Sequence, residues 1–346
     1  MRTKEDLVMM QHLPLELKVA KTKLRIQEWV NHYGRDGVYV SFSGGKDSTV
    51  LLHIVREMYP DIEAVFVNTG LEYPEIQKFV KTFDNVTILR PKMRFDEVIK
   101  NYGYPIISKE VSKRVSEYRN ALKKGTLDSC MAYLEFNGLR NKRDGGSFFN
   151  KEKWKPLTET DFLCSHKCCD VMKKHPLASF EKEHNKHPMI ATLAEESLTR
   201  EAVWIKHGCN SYDSRRAVST PMSFWTEQDV LWYIKQNRIP IASVYGDIVY
   251  AENNEQIRMF GCGERLKLNG CDRTGCIFCA FGCHLDREMP RFQRLKESHP
   301  KQYEYCIGGG EFNEDGEWQP SKEGLGMGYV FDRLNEIYGK DFIKYK

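Results

Sequence analysis

Short apolar runs alternate along this chain with stretches of helical rhythm. Val38 to Phe42 is an apolar, β-branched run of strand length that stops at Ser43-Gly44-Gly45. The pattern reopens at Lys46 as Val50, Leu51, Ile54, Val55 and Met58, a 3.6-residue spacing that predicts a helix. Ala64 to Val67 repeats the strand signal. A helix is expected from about Pro74 to Thr82 with Ile76, Phe79 and Val80 inward, then a third strand from Val86 to Leu89. Strands and helices alternating at this pitch predict an α/β fold with a doubly wound parallel sheet, its ligand at the carboxyl ends of the strands.

Ahead of the first strand, residues 14–33 predict an amphipathic helix with Pro14 near its start and Leu17, Ala20, Leu24, Ile26 and Val30 apolar. Residues 107–124 predict a charged helix, and Met189 to Leu193 a further strand. Thr226 and Asp229 form a capping box opening a helix whose Val230, Leu231 and Ile234 face the core, with Pro240 beyond its end. Periodicity is weak after about residue 255 until a last helix, Tyr329 to Tyr338. The expected organisation is an N-terminal helix over 1–35, a nucleotide-binding α/β domain over 36–250 with a helical insertion at about 95–165, and a Cys-rich C-terminal region over 251–346.

The turn after the first strand carries the first chemistry. Gly44 and Gly45 let a ligand approach the backbone, and the free N–H groups of the following helical turn attract an anion. Ser43 and Ser48 add hydroxyls and Lys46 adds a cation, so a phosphate chain is the natural guest. A Gly-Gly turn capped by Ser and Asp is the plainer alternative. The spacing matches neither GxxxxGK[ST] nor GxGxxG. SGGKDS instead resembles the PP-loop of the ATP pyrophosphatase superfamily, enzymes that split ATP between the α- and β-phosphates to adenylate a substrate. That resemblance implies that Ser43, Gly44, Gly45, Lys46, Asp47 and Ser48 hold the phosphates of ATP. Mg²⁺ would bridge their oxygens, Asp47 would place the magnesium or the loop, and Lys46 and Ser48 would stabilise the departing pyrophosphate. Asn68, Thr69 and Gly70, at the next strand end, are expected beside the adenosine.

Composition narrows the setting. The chain has 346 residues, 41% of them hydrophobic, and no run of membrane-spanning length. Its first residues, MRTKEDLVMMQHLPLELK, are too charged for a signal peptide, so a cytoplasmic protein is expected. Eleven cysteines, an odd number, then point to metal binding or redox chemistry rather than a disulfide framework. Net charge is only +4, but residues 109–155 hold twelve Lys/Arg against six Asp/Glu. This is either a solvated helical face or a docking surface for a polyanion such as nucleic acid.

Nine cysteines fall between residues 164 and 283, in two bunches with Cys209 and Cys262 as outliers. Cys168-Cys169 follows Cys164, and Cys271, Cys276, Cys279 and Cys283 form the second bunch. A CxxC pair brings two thiolates to one metal, and two bunches can close a four-sulfur site. One structural Zn²⁺ is an alternative. Adjacent cysteines suit it poorly, since zinc pairs favour two to four intervening residues. A [4Fe–4S] cluster offers separate irons to neighbouring thiolates.

These motifs in this order, the phosphate loop, VFVNTGLEYPE, CC before KKHPL, EES-x-x-R, PMSFWTEQDVLWYI and CxxC, resemble the PAPS reductase family over residues of about 36 to 285. The resemblance implies that Cys168, Cys169, Cys276 and Cys279 ligate a [4Fe–4S] cluster. True sulfonucleotide reductases carry a nucleophilic Cys in a C-terminal tail, and here the last cysteine is Cys306. The chain is more similar to the sulfur-insertion branch, including DNA-phosphorothioation proteins, which adenylate an oxygen and replace it with sulfur. Arg200 is then a candidate anion clamp or a surface ion pair, as are Lys173 and Arg215-Arg216. Cys283, with Cys271, is a candidate sulfur carrier or a buried thiol. Expected partners are an adenine nucleotide (ATP, or PAPS/APS in a reductase), a sulfur donor such as a cysteine desulfurase or a thioredoxin-like reductant, and a second copy of the chain, with no membrane.

Overall fold

The computed structural model describes residues 2–140, 149–212, 216–251, 264–287 and 289–346. Two units emerge. The first comprises Met1–Asn68, Glu72–Arg90 and Pro176–Gly275; the second comprises Thr69–Leu71, Pro91–His175 and Cys276–Lys346. The helical insertion therefore belongs with the C-terminal segment, and the chain enters the second unit more than once.

The first unit begins with α1 (Lys4–Gln11) and α2 (Leu15–Tyr33). It continues through β1 (Val38–Ser41), α3 (Lys46–Met58), β2 (Ala64–Val67), α4 (Pro74–Val80) and β3 (Val86–Leu89). In the second unit follow α5 (Phe95–Tyr102), β4 (Ile106–Ile107), α6 (Lys109–Lys123) and α7 (Met131–Phe136). The chain then runs through α8 (His175–His184), β5 (His187–Met189), α9 (Leu198–His207), β6 (Asn210–Ser211), β7 (Val218–Ser219) and α10 (Glu227–Asn237). An antiparallel pair, β8 (Ile248–Tyr250) with β9 (Leu266–Leu268), completes the first unit, and β10 (Ala280–Phe281) lies in the second.

The sheet of the first unit has the order β3-β2-β1-β5-β7-β6. Every pairing is parallel except β6 with β7. This is the α/β architecture with a mostly parallel sheet that the alternating pattern predicts. β1 is central, so both its faces are covered: Val38, Tyr39 and Val40 are all fully buried. That burial is why the run reads as continuously apolar rather than alternating.

Particular elements depart from their sequence reading. In α2 the buried positions are Lys18, Thr22, Ile26, Trp29 and Val30, while Leu17 and Leu24 are exposed. Polar residues face inward because each is satisfied there. Lys18 Nζ donates to Asp229 Oδ2 at 2.6 Å, and Thr22 Oγ1 accepts from Trp225 Nε1 at 2.9 Å. The same Asp229 closes the capping box with Thr226 at the start of α10, as expected. β5 starts two residues earlier than Met189, pairing Val38 with His187 and Val40 with Met189. The C-terminal segment holds two helices that the weak periodicity hid, Arg291–Ser298 and Pro300–Ile307, before the last helix, Met327–Tyr338.

In the second unit part of the basic stretch is knitted inward, while Lys109, Lys113, Lys123, Lys124 and Lys153 are exposed. Arg114, Arg140 and Lys151 all converge on the fully buried carboxylate of Glu135 at the foot of α7. Arg119 donates to the carbonyls of Leu157, Thr158, Thr160 and Phe162. Burial pushes the Glu135 carboxyl up, but Lys151 and Arg114 outweigh it and hold its pKa below the usual glutamate value.

Candidate functional sites

The phosphate loop sits at the carboxyl end of β1. Gly44 has φ +71°, and a Cβ there would meet Val80 Cγ2 at 2.7 Å and Ile76 Cγ2 at 2.8 Å, so only glycine fits between the loop and α4. Gly45 is the N-cap of α3 in extended conformation, with no side-chain cap. The N-terminus of α3 is the usual kind of anion seat, although here the Gly45 N–H donates to Ser43 Oγ at 3.3 Å and the Lys46 N–H to the Tyr245 hydroxyl. Ser43 and Ser48 brace the loop: Ser43 N donates to Ser48 Oγ at 3.2 Å, the two hydroxyls lie 3.0 Å apart, and Ser48 Oγ donates to Gly45 O at 2.9 Å.

Lys46 is buried, its Nζ 3.2 Å from Glu227 and 3.6 Å from Asp47 Oδ1. Burial works against its charge, but Asp47 and Glu227 win and its pKa stands above the ordinary lysine value. Asp47 is the complement: burial raises its pKa against the pull of Lys46, and its Oδ1 makes no hydrogen bond. A buried carboxylate oxygen without a donor is poised for a cation.

Sequence reasoning missed the residues that complete this end of the unit. The buried Tyr245 hydroxyl accepts the Lys46 N–H at 3.1 Å and lies 2.6 Å from Thr274 Oγ1. Arg273, just before Thr274, shares Glu196 with Arg200. The two guanidinia and Asp47 are near enough to act on one another electrostatically. Arg200 is thus an ion-paired residue of the loop's surroundings. The polar turn Asp272-Arg273-Thr274 carried a weak signal for this; Tyr245, two hundred residues from the loop, carried none. Asn68 ends β2, its N–H donating to Leu89 O at 2.9 Å. Thr69 and Gly70 belong to the second unit, where Thr69 Oγ1 accepts the Leu71 N–H at 3.1 Å. Arg216 pairs with Glu181, and Arg215 and Cys262 lie outside the described residues.

The second unit brings the four cysteines singled out above to one place. Cys168, Cys169, Cys276 and Cys279 line a narrow cavity of about 20 Å³ whose remaining wall includes Leu71, Phe95, Met172 and Lys173. Cys168-Cys169 leads into a π-turn, Asp170–Lys174, an irregularity frequent at functional sites. The CxxC turn is pinned from several sides. Cys279 N donates to Cys276 O at 3.0 Å, Ile277 N to Leu71 O at 2.8 Å, and β10 pairs in parallel with β4. Arg291 Nη1 donates to the carbonyls of Cys279 and Phe281 at 3.2 and 2.9 Å. Cys168 and Cys169 are neighbours in the chain and act on each other's thiols. That interaction pushes Cys168 up and pulls Cys169 down, with Lys109 and Lys173 also lowering Cys169.

Among the described residues, no three His, Cys, Asp or Glu side chains stand as a group able to hold a metal ion. The donor set is nonetheless specific, with four sulfurs and no oxygen donor from a carboxylate on the wall. Soft thiolate donors suit an iron–sulfur group or zinc and disfavour Mg²⁺. Cys283 is buried and its thiol is pushed up to about 12, mainly by burial, so it sits protonated and closed to water rather than as a reactive thiolate. Cys271 is buried too, its Sγ 3.0 Å from Arg273 O.

Fold and loop define a class: an α/β protein with a glycine turn leading into a helix N-terminus at the carboxyl end of a central strand of a mostly parallel sheet. Within that class, the phosphoadenosine phosphosulfate reductase domain matches residues 37–143 and 126–281, and the chain belongs to that family. An uncharacterised protein of Methanocaldococcus jannaschii is 37% identical over 76% of this chain and 45% of its own length. A second from the same organism is 24% identical over 77% of this chain and 40% of its own length. The phosphoadenosine 5'-phosphosulfate reductase of Xanthomonas euvesicatoria is 25% identical over 34% of this chain and 52% of its own length. The chain thus spans about half or less of the length of these relatives. Among solved structures, a PAPS reductase from Candida auris in complex with phosphate matches 64% of this chain and 82% of its own, with 13% identity and a TM-score of 0.37.

Proposed function

We propose that this chain binds ATP on the loop Ser43–Ser48, releases pyrophosphate to adenylate an acceptor, and prepares that acceptor for sulfur transfer. The observation that carries this reading is Asp47 Oδ1, buried without a hydrogen bond beside Lys46 at the start of α3. A polyphosphate bearing Mg²⁺ would add a second cation beside Lys46 and bring charge for the loop N–H groups. The acceptor oxygen attacks the α-phosphorus, the bond to the bridging oxygen breaks, and pyrophosphate leaves with the electron pair. Lys46, the Ser48 hydroxyl and the first N–H groups of α3 stabilise the charge that develops on it. Arg200 and Arg273, already sharing one carboxylate, exchange Glu196 for the anionic intermediate.

The four-thiol cavity fits a [4Fe–4S] group by its donor set, with Cys168, Cys169, Cys276 and Cys279 as ligands. When bound, that group would supply electron transfer and sulfur chemistry. Lys173, on the cavity wall, and Lys109 would offset its negative charge. A second reading, reduction of PAPS or APS to sulfite, draws support from the Xanthomonas relative's name. Anaerobically purified protein incubated with Mg²⁺ and ATP, or with PAPS and thioredoxin, separates the two. Pyrophosphate from the first mixture supports adenylation. Sulfite from the second, without pyrophosphate from the first, replaces it with reduction.

A further inference from the structure

The first unit holds a second concavity, formed by α1, α2, the end of α9 and the segment before α10. Its volume is about 500 Å³, within the range of small-molecule sites. The floor is apolar, with Met10, Leu13, Trp204 and Phe224 exposing their side chains or edges to it. Arg2, Lys21 and Arg25 stand on the wall, with Asp6 the single carboxylate among the lining residues. Asp6 is already engaged as the acceptor of the Thr3 N–H at 2.8 Å in the capping box of α1. Lys21 and Arg25 are four apart on α2 and so share a face. Gly208 closes the last gap: a Cβ there would lie 2.5 Å from the Arg2 guanidinium carbon, so glycine lets Arg2 lie against the backbone beside Cys209.

Two further features favour a ligand over a packing fault. Trp204 is 4% exposed, and its indole Nε1–H finds no oxygen or nitrogen acceptor, only the weak sulfur of the Cys209 thiol beside it. A buried donor left so is costly unless something accepts from it. The cationic field also reaches the floor. Burial pushes the Cys209 thiol up, Ser223 and Trp204 pull it back, and Arg25 and Arg2 lower it further.

We propose that this cavity binds a small amphipathic organic anion: an apolar, preferably aromatic body on Met10, Leu13, Trp204 and Phe224, and a carboxylate, sulfonate or phosphate group held by Arg2, Lys21 and Arg25. The site is independent of the phosphate loop, with which it shares no lining residue.

Isothermal titration calorimetry with naphthalene-1-sulfonate as probe and 1-naphthalenemethanol as its neutral counterpart tests this on the full chain. The sulfonate is expected to bind saturably at one site, about tenfold more tightly than the alcohol. Lys21→Glu, at an exposed position, is expected to weaken the sulfonate about fivefold and steepen nothing for the alcohol. Met10→Trp, which fills the cavity, is expected to abolish binding of both. Equal affinity for sulfonate and alcohol, sulfonate binding undiminished in both variants, or no saturable binding to the wild type overturns the proposal. Mg²⁺–ATP binding, measured alongside, is expected to be the same in all three proteins. Its failure would count against the nucleotide reading alone.

Discussion

At the phosphate loop, the groups offered to a ligand are N–H donors, two hydroxyls and one lysine, all within six consecutive residues and braced by bonds among themselves. At the thiol cavity, the donors are four sulfurs from two distant segments, set among apolar walls and pinned by Arg291 and by strand pairing. In the proposed function the first site takes hard anionic oxygen and the second a soft metal group. Their difference shows how locality governs what a ligand contributes: a loop encoded in one turn stands ready alone, whereas a cavity joined from separate segments gains order from the group it encloses.

This contrast orders the expected effects of substitution. Lys46→Ala removes the charge facing the departing phosphate, and nucleotide turnover is expected to fall on the order of 10²- to 10³-fold in a pyrophosphate-release assay. Cys276→Ser is expected to deplete iron and acid-labile sulfide from anaerobically purified protein while Mg²⁺–ATP binding survives. Equal iron in variant and wild type would remove Cys276 from the ligand set.

Glu135→Gln tests the structural charges of the second unit. It leaves Arg114, Arg140 and Lys151 without their shared partner and is expected to lower stability by about 3 kcal/mol in thermal or denaturant melts. The sign with pH follows from the depressed carboxyl. Its contribution is fully present above the unfolded glutamate pKa of about 4.3 and is lost as pH falls through the lower folded value. The variant should therefore show a shallower loss of stability below about pH 4 than the wild type. Smallest is Tyr245→Phe. Losing one hydrogen bond to the Lys46 N–H, of about 1 kcal/mol, is expected to shift the ATP affinity several-fold, with the melting temperature nearly unchanged.

The same locality explains what could be read from the chain. The strand-turn-helix around Gly44, the capping box at Thr226 and the sheet's alternation were legible because each signal lies within a few residues. The inward face of α2 was not. Lys18 and Thr22 are buried only because Asp229 and Trp225 wait for them from far along the chain. Tyr245 and Arg273 reach the loop through the same kind of distant contact. The four cysteines were grouped by family resemblance, and all four line one cavity. Cys283 looked equally available in sequence, and only burial distinguishes it. Helices Arg291–Ser298 and Pro300–Ile307 are short, and their one or two buried residues each leave little periodicity to find.

The proposed function rests on Asp47, whose Oδ1 has no hydrogen bond and only the Lys46 ammonium, 3.6 Å away, beside it. Calorimetric titration of ATP with and without Mg²⁺, in wild type and Asp47→Asn, tests it most directly. The account predicts that Mg²⁺ tightens ATP binding to the wild type at least tenfold and leaves the variant nearly unaffected. An equal response to Mg²⁺ in both proteins, or ATP binding indifferent to Mg²⁺ in the wild type, would contradict it.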